Sequence, residues 1–124
     1  MIYLRIACLL CFLAVLMGAF GAHILRPYRS DYLMGVYHTG FLYHFFHSIV
    51  LLILSLFAFL YSIDFKRPFY LFFIGIILFS GSLYLLCITH YSFFGFITPF
   101  GGLLFLLSWC DLFFKVSKLS KLSS

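Results

Sequence analysis

The side chains best suited to chemistry in this sequence are its five histidines, His23, His38, His44, His47 and His90. Imidazole titrates near neutral pH and ligates both metals and haem iron. His44 and His47 stand three residues apart at the head of FLYHFFHSIVLLILSLF, residues 41–57, a run that is otherwise almost wholly apolar. Wound as a helix, Tyr37, His44, Ser48, Ser55 and Ser62 fall within about 40° of one another, with His47 beside that line and His38 opposite His47. A polar stripe on an apolar helix faces protein, because polar groups turned to lipid cost free energy without return. His23 and His90 end two other apolar runs. His23, His44, His47 and His90 are therefore expected to converge toward one membrane surface, with Ser82, Tyr84 and Thr98 as neighbours.

Three kinds of chemistry fit such a cluster. Neutral imidazoles and hydroxyls tie helices together at about 0.6 to 2 kcal/mol each. Alternatively, histidines line a polar or ion pathway. A metal or haem site is the third reading, but His44 and His47 lack the four-residue spacing of the helical zinc motif, and Asp31 is the one carboxylate expected at that end. Helix tying is the leading expectation and ion handling the alternative. No catalytic residue, cofactor or metal-ligand set is assigned, and the chain is expected not to be an enzyme. Asp111, beside Trp109, is expected to pair with Lys115 one turn on, in the favourable acid-to-base order. Cys8, Cys11, Cys87 and Cys110 all lie in apolar runs and read as small, buried, reduced thiols.

The elements that position these groups follow from composition. Of 124 residues, 65% are hydrophobic and 9% charged, where a soluble domain carries about a quarter charged. The chain is thus an all-α, polytopic membrane protein: a single domain, residues 1–124, folded as a four-helix transmembrane bundle. Its spans are expected near residues 3–22, 37–61, 68–89 and 94–114, each long enough to cross about 30 Å of hydrocarbon, and helical because lipid offers the backbone no partner. Pro27 is expected to end the first helix, and Ser30 before Asp31 to cap the second. A helix from Asp31 to Tyr61 would be about 46 Å long, so its first turns are expected at the interface, as a short interfacial helix or loop between spans one and two, bent near Gly35 or Gly40. Tyr28, Tyr32 and Tyr37 suit an aromatic belt at that depth.

Even spans put the N-terminus, the 63–67 loop and the C-terminus on one side, with Arg5, Lys66, Arg67, Lys115, Lys118 and Lys121. Arg26 and Arg29 face the other. Six basic residues against two place both termini in the cytoplasm. The net charge of +5 flanks the spans and suits lipid headgroups rather than nucleic acid. A cleaved signal peptide is the rival for the first span, given Ala19-Phe20-Gly21. Against it, Ala14, Gly18, Gly21 and Ala22 form a small-residue ridge of the kind that lets membrane helices approach closely. Thr98-Pro99-Phe100-Gly101-Gly102 is expected to open the fourth helix, with Pro99 in its first turn and Gly101 and Gly102 as a contact surface; a broken, substrate-lining helix is the sharper alternative.

GAFGAH (residues 18–23), TGFLYHFFHS (39–48), LFSGSLY (78–84) and TPFGGLLFLLSW (98–109) occur in that order. Together they resemble domain-of-unknown-function family 423, the small YgdD-like and transmembrane-protein-256-like membrane proteins. The resemblance implies a four-helix membrane protein, brings no activity or catalytic residues with it, and implies that glutamine can stand in for His44. The sequence thus leads to an accessory or interaction protein of the cytoplasmic membrane, whose partners are the bilayer and another membrane protein or a second copy of itself. The alternative is a small transporter or ion-handling protein.

Overall fold

The computed structural model describes all residues, 1–124, and is helical throughout its ordered elements. Four helices, α1 (Ile2–Phe20), α2 (Asp31–Tyr61), α3 (Lys66–Thr89) and α4 (Phe93–Ser123), are each long and apolar enough to span a membrane. The ends of α1 and α4 depart from expectation. The first span does not stop near residue 22. It runs on through a wide π turn, Gly21–Leu25, and a tight 3-10 turn, Arg26–Tyr28. Pro27 does not break it, because Pro27 opens a new turn, where a missing N–H costs nothing. The chain first becomes extended at Arg29, with φ −128° and ψ 147°. At the other terminus α4 continues to Ser123, well past the expected span end at residue 114, since lysines and leucines sustain a helix as readily outside the bilayer as inside it.

Ser30 caps α2 as expected: its Oγ accepts the Leu33 N–H at 3.2 Å. The helix then runs unbroken past both glycines. Ser62 (φ 55°) ends it and His90 (φ 62°) ends α3, both in the left-handed conformation that closes many helices. Tyr28 and Tyr32 are exposed, as belt residues should be, but Tyr37 is buried. The polar stripe, not the belt, decides its place. Cys87 is buried, whereas Cys8 and Cys110 lie on the outer, lipid-facing surface.

The strong contacts are sequential: α1 on α2, α2 on α3, α3 on α4. One apolar cluster, including Ala7, Leu10, Leu51, Phe69, Phe72 and Phe105, fills the half of the bundle nearer the termini. A smaller one, Leu25, Tyr37, Tyr84 and Cys87, fills the other half. The small-residue contacts are real, with one exception. Ala14 is fully buried. A Cβ on Gly18 would lie 2.9 Å from the Phe41 ring, and one on Gly21 2.4 Å from the Tyr37 ring. Ala22 is exposed, because four-residue steps drift about 40° each and carry it out of a seam that passes through Gly21 instead. Gly101 is the tightest approach: a Cβ there would meet the Phe79 backbone nitrogen at 2.3 Å. Gly102 only grazes the Phe79 ring, at 3.7 Å. Gly75, which the sequence reading passed over, gives room to the Phe105 ring. Pro99 sits inside α4 rather than in its first turn, because the apolar Phe93–Ile97 stretch already belongs to the helix.

Candidate functional site

His44 is the centre of a three-helix knot. It is 4% exposed. Its Nε2 lies 3.0 Å from the Leu10 carbonyl of α1, and its Nδ1 lies 2.9 Å from the Tyr84 hydroxyl of α3. A carbonyl only accepts, so the ring proton is on Nε2 and Nδ1 accepts from the Tyr84 O–H. Tyr84 in turn packs against Tyr37, with ring centroids 4.9 Å apart, and the Tyr37 hydroxyl donates to the Met17 carbonyl of α1 at 2.6 Å. Ser48 and Ser55 lie on the same buried stripe, but their hydroxyls donate to the carbonyls one turn back in α2, at 2.6 and 2.7 Å.

His47 holds the opposite tautomer and faces another helix. The Trp109 indole N–H of α4, which can only donate, reaches its Nε2 at 3.2 Å. The proton therefore sits on Nδ1, which donates to the Tyr43 carbonyl at 2.8 Å. The imidazole stacks on Phe105, centroid to centroid 3.8 Å with the planes 8° apart. Trp109 had stood out in the sequence only as a neighbour of Asp111. The signal that could have marked it is chemical: an indole within a span has an N–H that needs an acceptor.

The other expected members are dispersed. Ser82 and Thr98 do meet, Oγ to Oγ1 2.6 Å, and join α3 to α4. His23 is exposed, on the far side of the π turn from the buried Gly21 and Leu25, and joins neither buried histidine. His38 and His90 are exposed too. No three His, Cys, Asp or Glu side chains come together as a metal-binding group. Asp111 pairs not with Lys115 but with Arg67 at the start of α3, because α4 lays its last turns along that helix. Lys115 lies over the Phe65 ring instead.

Arg29 also escaped the sequence reading, which counted it only as a flank charge. Its Nε and Nη2 donate to the Cys87 and Ile88 carbonyls at 2.8 and 3.0 Å, and its Nη1 to the Tyr28 carbonyl at 3.0 Å. The first two are among the carbonyls that the end of α3 leaves without helical partners. A guanidinium there also meets the negative end of the helix dipole.

A second feature lies on the side of the bundle. Because α4 packs mainly on α3, a groove of about 960 Å³ opens between α2 and α4. Phe46, Phe79, Leu103, Leu106 and Trp109 are among its walls, Gly102 and Pro99 widen it, and His47 reaches its surface.

The geometry amounts to a polar framework distributed over helix contacts rather than a cluster around a void, and the comparisons with known proteins agree with a family defined by its membrane fold. The UPF0382 membrane protein YwdK of Bacillus subtilis is 44% identical over 99 residues, 78% of this chain and 80% of the relative. SAB0533 of Staphylococcus aureus, also a UPF0382 membrane protein, is 38% identical over 117 residues, 94% of this chain and 96% of its own. The UPF0382 inner membrane protein YgdD of Escherichia coli is 39% identical over 99 residues, 79% and 76% of the two chains. No solved structure matches the chain. The family described as "Protein of unknown function (DUF423)" matches residues 17–102, a stretch that runs from the end of α1 into α4 and holds the His44 and His47 ties except for Leu10 and Trp109, and this chain belongs to it.

Proposed function

We propose that this protein is a non-enzymatic accessory protein of the cytoplasmic membrane, with both termini in the cytoplasm, that works by lateral association with another membrane protein. The observation that carries the reading is the groove between α2 and α4. It is apolar and aromatic, open sideways to the bilayer, and shaped by residues such as Gly102 and Pro99 that leave room for a neighbouring helix. The groups that could otherwise do chemistry support the same reading. Every ring nitrogen of His44 and His47 already has a partner within the bundle. Ion handling finds less support, because an ion would have to displace the Tyr84 and Trp109 contacts to reach an imidazole lone pair. The termini are assigned by the six basic residues on their side.

A photo-crosslinking side chain at Leu103, in the groove, and another at Leu16, on the exposed face of α1, test this in intact cells. Leu103 is expected to give one discrete protein adduct and Leu16 none. Adducts of equal yield from both positions, or none from either, would refute lateral association through the groove. A reporter active only in the cytoplasm, fused after Ser124, checks the orientation and fails there if the termini face outward.

A further inference from the structure

At the end of the bundle that carries both termini, the first turns of α1, the last turns of α2 and the 62–65 connection enclose a cavity of about 480 Å³. Its walls are apolar, formed by Leu4, Leu54, Ala58, Phe59, Phe65 and Phe69. Its mouth is not. Tyr3, Ser62, Asp64 and Lys66 rim it. Asp64 Oδ1 accepts the Lys66 backbone N–H at 2.9 Å. That bond, with the ammonium groups of Lys115 and Lys66 nearby, holds the Asp64 carboxyl below the usual carboxylate range.

Lys66 is thus the ammonium on the rim itself, beside the Asp64 carboxylate, and Lys115 stands outside the lining, over the Phe65 ring. The carboxylate is already engaged by the backbone, while neither ammonium has a carboxylate partner: the ion pair at this end of the bundle is Arg67 with Asp111. Lys115 Nζ sits 5.7 Å from the centre of the Phe65 ring, which is itself part of the wall. More widely, this end carries Arg5, Lys66, Arg67, Lys115, Lys118 and Lys121 against Asp64 and Asp111, six cations against two anions. An apolar hole beneath a positive rim, at the depth of the headgroups, is complementary to a molecule with a hydrocarbon chain and an anionic head. A zwitterionic lipid would fit the hole equally well but set its own cation against two ammonium groups. A free phosphate would occupy the mouth and leave the apolar walls unfilled.

We propose that this cavity binds one acyl chain of an anionic phospholipid, with the lipid phosphate held by Lys66 on the rim and drawn also by Lys115 beside the Phe65 wall.

The test uses the full chain purified in dodecyl maltoside, titrated with phosphatidylglycerol or with phosphatidylcholine of the same acyl chains, with bound lipid counted by native mass spectrometry. A lysine near a membrane phosphate strengthens binding about fivefold, so the pair is expected to favour phosphatidylglycerol about 25-fold. Lys66→Gln and Lys115→Gln should each reduce that preference about fivefold and together abolish it. Ala58→Phe, which fills the hole, should weaken both lipids. Glycerol phosphate alone should not bind. Equal affinity of the wild type for the two lipids overturns the proposal, as does a preference that survives in the double glutamine variant. Glycerol phosphate binding as tightly as phosphatidylglycerol would show a headgroup site without an acyl slot, and overturns it too. If Ala58→Phe does not fold, the lysine variants, whose side chains bear on no apolar core beyond Phe65, still decide between these outcomes.

Discussion

Replacing His44 tests the three-helix knot directly. In His44→Leu two interhelical hydrogen bonds disappear, those to Leu10 and Tyr84. Each is worth about 0.6 kcal/mol in a membrane bundle. The larger effect falls on the partner left behind. The Leu10 carbonyl keeps its place in the α1 ladder, but the Tyr84 hydroxyl, on a residue only 7% exposed, loses its acceptor, at about 1 to 3 kcal/mol. The sum is a destabilisation of about 2 to 4 kcal/mol. His44→Gln should behave differently. An amide offers N–H toward Leu10 and a carbonyl toward Tyr84, the same polarity as the tautomer the neighbours impose, so its cost is expected to stay within about 1 kcal/mol. Tyr84→Phe removes the stranded hydroxyl, so the double variant His44→Leu/Tyr84→Phe should be less destabilised than the two single changes summed, by at least about 1 kcal/mol. Reversible unfolding in mixed dodecyl maltoside and dodecyl sulfate micelles measures all four proteins. A glutamine variant as unstable as the leucine variant, or strict additivity in the double variant, would refute the assignment of both hydrogen bonds.

Two further perturbations address helix contacts. Gly101→Ala would place a methyl group 2.3 Å from the Phe79 backbone nitrogen, which cannot swing aside, so it should destabilise the protein by about 1 to 3 kcal/mol; Gly81→Ala, with nothing within 4 Å of the added carbon, should stabilise it by about 0.5 to 1 kcal/mol, and equal effects in the same unfolding assay would show that α3 and α4 do not meet there. Arg29→Met leaves the Cys87 and Ile88 carbonyls without their guanidinium and should cost about 2 kcal/mol, of which Arg29→Lys recovers about half because one ammonium cannot span both carbonyls as a planar fork does; identical stabilities of the two variants would argue against the bidentate geometry.

The existence and type of the four helices were legible because hydrocarbon permits so few alternatives. Length, uncharged runs and the Ser30 cap were enough for α2, whose start and end agree with the expected Asp31–Tyr61 helix. The ends of α1 and α4 were less legible for a physical reason. A hydropathy argument marks where the apolar run stops, not where the backbone stops being helical, and nothing at Ala22 or Phe114 forbids continuation. The ridge on α1 shows the same limit. Four-residue spacing singled out Ala14, Gly18 and Ala22, but only the residues that stay on the seam, Ala14 and Gly21, bury themselves fully.

The candidate site was legible as a face but not as a set of partners. Helical periodicity put Tyr37, His44, Ser48, Ser55 and Ser62 on one side of α2; the first four are buried there, whereas Ser62 is exposed, because the helix ends at Tyr61 and Ser62 turns left-handed. What stands opposite is not periodic in α2 at all: a backbone carbonyl of Leu10, a hydroxyl of Tyr84, an indole of Trp109. His44 and His47 also lie about 60° apart around the helix axis, which suffices to point one at α1 and α3 and the other at α4. A pair that looks like a unit in sequence is thus divided between two interfaces. That division explains why such groups persist in so apolar a helix. Lipid drives no helix against another by hydrophobic force, so apolar packing alone leaves the rotation of α2 weakly determined. His44 is matched to the Tyr84 hydroxyl and the Leu10 carbonyl, and His47, its other nitrogen satisfied within α2, to the Trp109 indole; these three interhelical partners on three helices are met together at one rotation of α2, and turning the helix away from it leaves polar atoms unmet.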